Sequence, residues 1–472
     1  MRRLLYLALL VTGACTSSSY PNIDRPSTGG SGEDRSIIAY IDQRLEEEYY
    51  WLDEVIERGG SFDRGVKWEN YLAASLGRLE TNSDDGYINS KGQRVLYSYI
   101  REYKPSTRSA TTGFGIDLHY TIAVIDSDNE YFGFLVDHVY AESPANQAGI
   151  KRGDIITMID GGYITYDNYN TLFNRIQNNT ASTLKLTLRS QTTSESYTAE
   201  LTKGGYDESP VAHYEVINID DKSIGYIVYT GFEMEYDDAL LAAIRDLKSG
   251  GAEDIILDLR INGGGSVNSA TKLCSALMPS TLEDATLCSI ERNPKNKKSE
   301  QVSYFKLKDT GSIFELDNLT VICSGYSASA SELVVMGLRG LDVPVTLIGS
   351  TTEGKNCGMD VTRRTVDGIN VEFAPITFMC FNAKGFGGWG EGITPDIDLT
   401  AEDNTLGVHD ANYPLPRADW GDYNHDIALA AALSHVTGKS ISQSTRSHMT
   451  EELPIAARIE PPMEGIRVYV EE

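Results

Sequence analysis

Apolar residues recur every three or four positions through SIIAYIDQRLEEEYYWLDEVIERG, placing Ile38, Ile41, Leu45, Tyr49 and Leu52 on one face, and Gly59-Gly60 stops the run. This pattern predicts an N-terminal helical domain over 36–112, helical in character to about Tyr103. The period then changes. Short β-type runs (YTIAVI, GFLVDHVY, DIITMID and TLKLTLRS) separated by turns mark a β-rich α+β unit over 113–205. From 206 to 440 strands alternate with helices: SIGYIVYTGF, then the amphipathic EYDDALLAAIRDLKSGG, then the buried run DIILDLRING, with LTVICSG and VTLIGS following. That order predicts an α/β core whose chemistry sits on loops at the strand ends. A helical stretch, HDIALAAALSHVTG, leads into a polar, proline-containing tail at 441–472.

The N-terminus changes the picture of where the chain works. MRRLLYLALLVTGAC has a basic start, an apolar run too short to span a bilayer, and small residues before Cys15. Residues 1–14 read as a signal peptide and 15–35 as a Gly/Ser/Pro-rich tether. Small residues running directly into a cysteine resemble the bacterial lipoprotein box, which makes Cys15 the lipidation site and the protein an exported cell-envelope lipoprotein held at a membrane by its N-terminal anchor. Thr12 departs from the usual leucine of that box, and a plain secretory signal is the alternative. The formal charge of −27 argues against nucleic acid as a partner. Five further cysteines (274, 288, 323, 357 and 380) are scattered in no zinc-site spacing, a single Cys274–Cys288 bridge being the one local pairing to consider. No metal or other cofactor is expected.

The segment SGYSASASELVVMGLRG carries the candidate chemistry. Ser329 and Glu332 fit a capping box ahead of a helix from Ala330 to Leu338, and taken alone that structural reading is the stronger one. A nucleophilic serine needs a base. None of the seven histidines lies in a recognisable catalytic context, whereas Lys355 follows an apolar strand and a turn-rich loop in VTLIGSTTEGKNCGMD. A buried lysine can act as a base.

Two resemblances organise these readings. ESPANQAGIKRGDIITMIDG, with Ser143, Pro144, Ala148, Gly149, Gly153, Asp154 and Gly161 in place, resembles PDZ domains, which take up peptide C-termini by adding them to a sheet edge. By order in the chain, Gly113, Phe114, Gly115 and Ile116 are the candidate carboxylate loop, a flexible strand start being the competing reading. SASASE paired with a downstream Gly-Lys, together with DLRINGGG (258–265) and GEGITPDIDL (390–399), is similar to the carboxyl-terminal processing peptidases, or tail-specific proteases, and the N-terminal helices more loosely to their lipoprotein branch from Bacteroidetes.

That resemblance implies a multidomain protein with a ClpP/crotonase-like α/β serine protease core preceded by the PDZ domain. Its substrates would be proteins or peptides with free C-termini. Ser329 is implied as nucleophile, Lys355 as general base, and the N–H groups of Ala330 and Gly264 as oxyanion hole, with Glu332 as an orienting residue. Met359 stands where the family often has a lysine-orienting glutamine, leaving Glu332, Ser350, Thr351 and Thr352 as candidates for that task. Gly263 replaces a proline, and the Ser-to-Lys spacing is one residue longer than usual. A catalytically inactive PDZ-bearing envelope scaffold is the alternative from another class, and a peptide- or lipid-binding relative of the fold ranks last.

Overall fold

A computed structural model describes residues 32–89, 92–103, 111–177, 180–190, 193–297, 300–308, 313–406, 408–441, 455–459 and 467–469. The signal peptide, Cys15 and most of the tether lie outside the described residues.

The α/β core is built on a six-stranded sheet in the order 211–219, 222–229, 254–258, 319–323, 345–349, 397–398. Its first pair is antiparallel and all others are parallel. Burial on both faces explains the unbroken apolar runs. Successive side chains point to opposite sides: Ile227, Leu257, Val321 and Leu347 pack with helices Asp237–Ser249, Val267–Leu277 and Ala330–Gly340. Tyr226, Val228, Ile256, Ile322 and Ile348 pack with helix Ile427–Thr437 on the other face.

A second sheet runs 264–266, 467–469, 357–359, 376–382, 286–292, 302–306. A third joins 362–366 and 369–374 to 99–102 from the N-terminal part. Helices Gly32–Glu48, Leu52–Arg58 and Trp68–Leu76 share one core with Val371, Phe373 and Ile376 of these sheets. The helical pattern expected as far as Tyr103 is therefore interrupted, because residues 87–88, 94–95 and 99–102 are strands. Strand 99–102 finds its partner some 270 positions away in sequence at 371–374, a pairing local periodicity does not encode.

The β-rich unit forms its own sheet, ordered 196–202, 183–189, 155–159, 131–139, 116–126, 455–458, with helix Tyr169–Gln177 against it. It is pinned to the core by Arg152, whose Nη1 donates to Ala418 O at 2.7 Å while the guanidinium lies 3.8 Å over the Trp420 ring. Trp420 Nε1 in turn donates to His138 Nδ1. Cys274, Cys288, Cys323, Cys357 and Cys380 are all buried free thiols, so the bridge considered between Cys274 and Cys288 is not formed.

Candidate active site

The loop after strand 319–323 and the first turn of helix Ala330–Gly340 hold four serines, and their hydroxyls divide unequally. Ser324 Oγ donates to Arg260 O at 2.5 Å, Ser327 Oγ to Leu259 O at 2.7 Å, and Ser331 Oγ to Asn262 O at 2.9 Å. Three hydroxyls thus stitch this loop to the DLRIN turn that ends strand 254–258. Ser329 Oγ is buried and has no hydrogen-bond partner. It approaches the Glu332 N–H in the sense of a capping box, too loosely to bond. The Ser329 backbone sits at φ 68°, ψ −114°, a region a residue with a Cβ rarely adopts. A serine held on a sharp strand-to-helix turn ahead of helix Ala330–Gly340 presents its Oγ at the helix N-terminus, where the first N–H groups have no intrahelical partner.

The turn beneath is fixed by charge. Arg260 is buried between Asp258 and Asp426, at 2.5 and 2.9 Å, and both carboxylates hold its guanidinium in the charged form against the cost of burial. Tyr226 Oη donates to Asp258 as well, and Asp426 caps helix Ile427–Thr437 by accepting from Ala428 N and Leu429 N. Asp258 and Arg260 therefore act as scaffold, shaping the turn whose carbonyls receive the serines.

Glu332 is the junction of the site. Its fully buried carboxylate accepts four hydrogen bonds: at Oε2 from Ser329 N (2.7 Å) and Lys355 N (2.9 Å), and at Oε1 from Thr352 Oγ1 (2.6 Å) and Gly354 N (2.8 Å). Burial raises its pKa, and these donors oppose the rise. One carboxylate oxygen thus brings the backbones of Ser329 and Lys355 together. The lysine loop is also clasped by GEGITPD: Ile393 N donates to Thr352 Oγ1 and Thr352 N to Ile393 O. Gly354, at φ +97°, lies so close to Gly390 O and Gly392 N that any Cβ would fall about 2.5 Å from both.

The Lys355 side chain is 1% exposed, with Nζ 4.7 Å from the centre of the Tyr97 ring. Tyr97 Oη donates to Glu353 Oε1 at 3.3 Å. Burial pushes the Glu353 carboxyl up to about 7, the Glu332 charge adding to the rise while Tyr97 and Lys355 oppose it. Glu332 and Thr352, two candidates for aiming the amine, are engaged in holding backbone. Met359 is fully buried in the core of the N-terminal helices. Sequence reasoning missed Tyr97, which lies far upstream in an aromatic-rich segment with no motif around it.

Of the two oxyanion candidates, Ala330 N–H is the first of its helix, whereas Gly264 N–H donates to Asn262 Oδ1 at 2.8 Å. In the β-rich unit, Gly115 sits at φ +73° with its Cα face against Ser143, and Phe114 is buried in the core. The carbonyls of Phe114 and Gly115 accept from Ala145 N and Tyr140 N. Strand 116–126, which follows this loop, lies beside the serine-bearing loop: the rings of His119 and Tyr120 are 5.5 and 6.1 Å from that of Tyr326. Among the described residues, no cluster of three or more His, Cys, Asp or Glu side chains is arranged to hold a metal ion.

Comparison with known proteins agrees with this architecture. Residues 223–399 match the profile of peptidase family S41, and residues 135–190 that of a PDZ domain. A probable CtpA-like serine protease of Staphylococcus haemolyticus is 22% identical over 401 residues, spanning 84% of this chain and 72% of its own. A carboxy-terminal-processing protease of Bartonella bacilliformis is 26% identical over 372 residues, spanning 77% and 76%. A solved chain from Bacteroides fragilis assigned to the S41 proteases superposes with a TM-score of 0.67 at 22% identity, covering 84% of this chain and 97% of that one, and shares the fold. Residues 223–399 thus form a peptidase family S41 domain that follows a PDZ domain at 135–190, and the chain as a whole is similar to serine proteases of the carboxyl-terminal processing kind.

Proposed function

We propose that this protein is an exported, lipid-anchored endopeptidase that cleaves protein substrates with a Ser329–Lys355 dyad and selects them by their C-terminal tails through the PDZ groove. The observation that carries the dyad is the shared Glu332 oxygen: it holds both backbones while Ser329 Oγ stays buried and unpartnered. Burial of Lys355 disfavours its charged form, so the amine can take the Ser329 proton as Oγ attacks the scissile carbonyl. The carbonyl oxygen, now negative, would be received by Ala330 N–H and by an amide of the Gly264–Gly265 turn, the Asn262 side chain releasing Gly264 if that amide is used. The protonated amine then donates to the leaving amine, and water, deprotonated by the lysine, releases the acyl group. Ser329→Ala and Lys355→Ala should each abolish hydrolysis of a fluorogenic peptide while leaving the circular dichroism and melting curves folded. Substantial turnover by Lys355→Ala would refute the dyad.

The second reading, an inactive scaffold, rests on Met359. Covalent labelling of Ser329 by a fluorophosphonate probe separates the two, since only an activated hydroxyl reacts at speed.

A further inference from the structure

The C-terminal segment is used by neither the peptidase reading nor the PDZ reading, yet it touches both. Residues Ile455–Arg458 pair antiparallel with the PDZ edge strand, with Ile455 opposite Ala123, Ala457 opposite Ile122 and Arg458 opposite Thr121. Ile459 N then donates to Tyr120 O at 2.6 Å. Ala456, Ala457 and Ile459 pack onto the same apolar core as Tyr120 and, from helix Tyr169–Gln177, Tyr169 and Leu172. A peptide added to this strand beside this helix is β-augmentation of the kind PDZ domains use. The polarity also fits. The segment runs from Ala123 towards Tyr120, and so towards the Gly113–Ile116 loop, as a tail offering its C-terminus to that loop would run.

It leaves the edge strand at Tyr120, beside Tyr326, three residues before Ser329. Arg458 acts electrostatically on both Tyr326 and His119 there. Farther along, residues 467–469 form a strand parallel to Gly264–Ser266, with Gly264 opposite Arg467, Gly265 opposite Val468 and Ser266 opposite Tyr469. Tyr469 also pairs with Met359. This short strand is therefore inserted between the glycine turn and strand 357–359, which begins two residues after Lys355. Residues 455–459 thus reach the strand beside Tyr326 and residues 467–469 the glycine turn and the strand after Lys355, and Ser329 is 1% exposed.

We propose that residues 455–459 and 467–469 are an intramolecular ligand of the peptide groove and of the strand edge beside Ser329, so that the enzyme rests self-occupied and a substrate tail must displace them. The catalytic consequence rests on the peptidase reading above; the occupancy does not. A tethered segment acts at an effective concentration on the order of 1 mM, so one whose own Kd is about 0.1 mM weakens a competing peptide about tenfold.

The test is binding, in the Ser329→Ala background to prevent cleavage. A fluorescein-labelled peptide of residues 451–472 with a free carboxylate is titrated, by anisotropy, with the full chain, with the chain ending at Ile441, and with full-length Ile459→Pro, which removes the N–H bonded to Tyr120 O. The expected result is affinity about tenfold tighter for both altered chains than for the full chain. Equal affinity of the full chain and Ile459→Pro overturns the proposal, whether or not the shortened chain folds. With Ser329 restored, the altered chains should also cleave a fluorogenic peptide faster. No cleavage by any of the three, with the binding difference intact, sinks the dyad and leaves the self-occupancy standing.

Discussion

Glu332→Gln is the sharpest perturbation of this site, because the side chain keeps its shape while losing its charge and its symmetry as an acceptor. The carboxylate receives four donors, two on each oxygen. A glutamine offers one acceptor oxygen and one NH2 group. Whichever way the amide turns, two donors face the NH2 group. Hydrogen bonds to a charged group contribute about 1.5–3 kcal/mol each, so losing two costs roughly 3–6 kcal/mol. Against this stands relief from burying a charge, the same burial that raises the Glu332 pKa, which leaves a net loss of about 2–4 kcal/mol. The stronger consequence is kinetic. With Oε2 turned to NH2, Ser329 N and Lys355 N are no longer drawn to one atom, and a displacement of about 1 Å between the proposed nucleophile and base costs on the order of 100-fold in rate. Urea unfolding followed by circular dichroism, with kcat and KM on a fluorogenic peptide, should show a lowered midpoint and a lowered kcat at nearly unchanged KM. A glutamine variant with the parent midpoint and rate would refute the account of Glu332 as the junction.

Glu353, held protonated up to about pH 7 in the fold, contributes stability that is full below its unfolded value and lost as pH rises through 7, worth at most roughly 3 kcal/mol. Glu353→Gln should flatten the melting temperature between pH 5 and 8, and should move the acidic limb of kcat/KM to lower pH, because an ionised Glu353 favours the charged form of Lys355. A limb that stays in place would separate Glu353 from the base. Tyr97→Phe, which keeps the ring facing Lys355, should retain the plateau rate, whereas Tyr97→Leu should lower kcat several-fold, a ring–cation contact being worth about 0.5–2 kcal/mol. Equal rates for the two variants would remove Tyr97 from the site.

What was legible in the sequence was what repeats or what is local. The 3.6-residue period of Ile38, Ile41 and Leu45 and the buried runs around Ile256, Val321 and Leu347 name their own elements, because burial selects for those spacings. The capping-box pattern at Ser329 and Glu332 was readable too, but it was open to the wrong conclusion: the box is half made, and the carboxylate serves the lysine loop as well as its own helix. Long-range pairings left no such trace. Strand 99–102 and the strands at 455–458 and 467–469 are stabilised by distant backbone, and backbone hydrogen bonds do not depend on which side chain is present. Part of the surroundings of Lys355 likewise comes from distant chain, which its own neighbourhood does not encode. The Tyr97 ring, which faces the amine, comes from 258 positions upstream, and its hydroxyl reaches back to Glu353. Met359 packs into the N-terminal core that also holds Tyr97, so the residue standing where a glutamine is often found helps to seat the ring that faces the lysine.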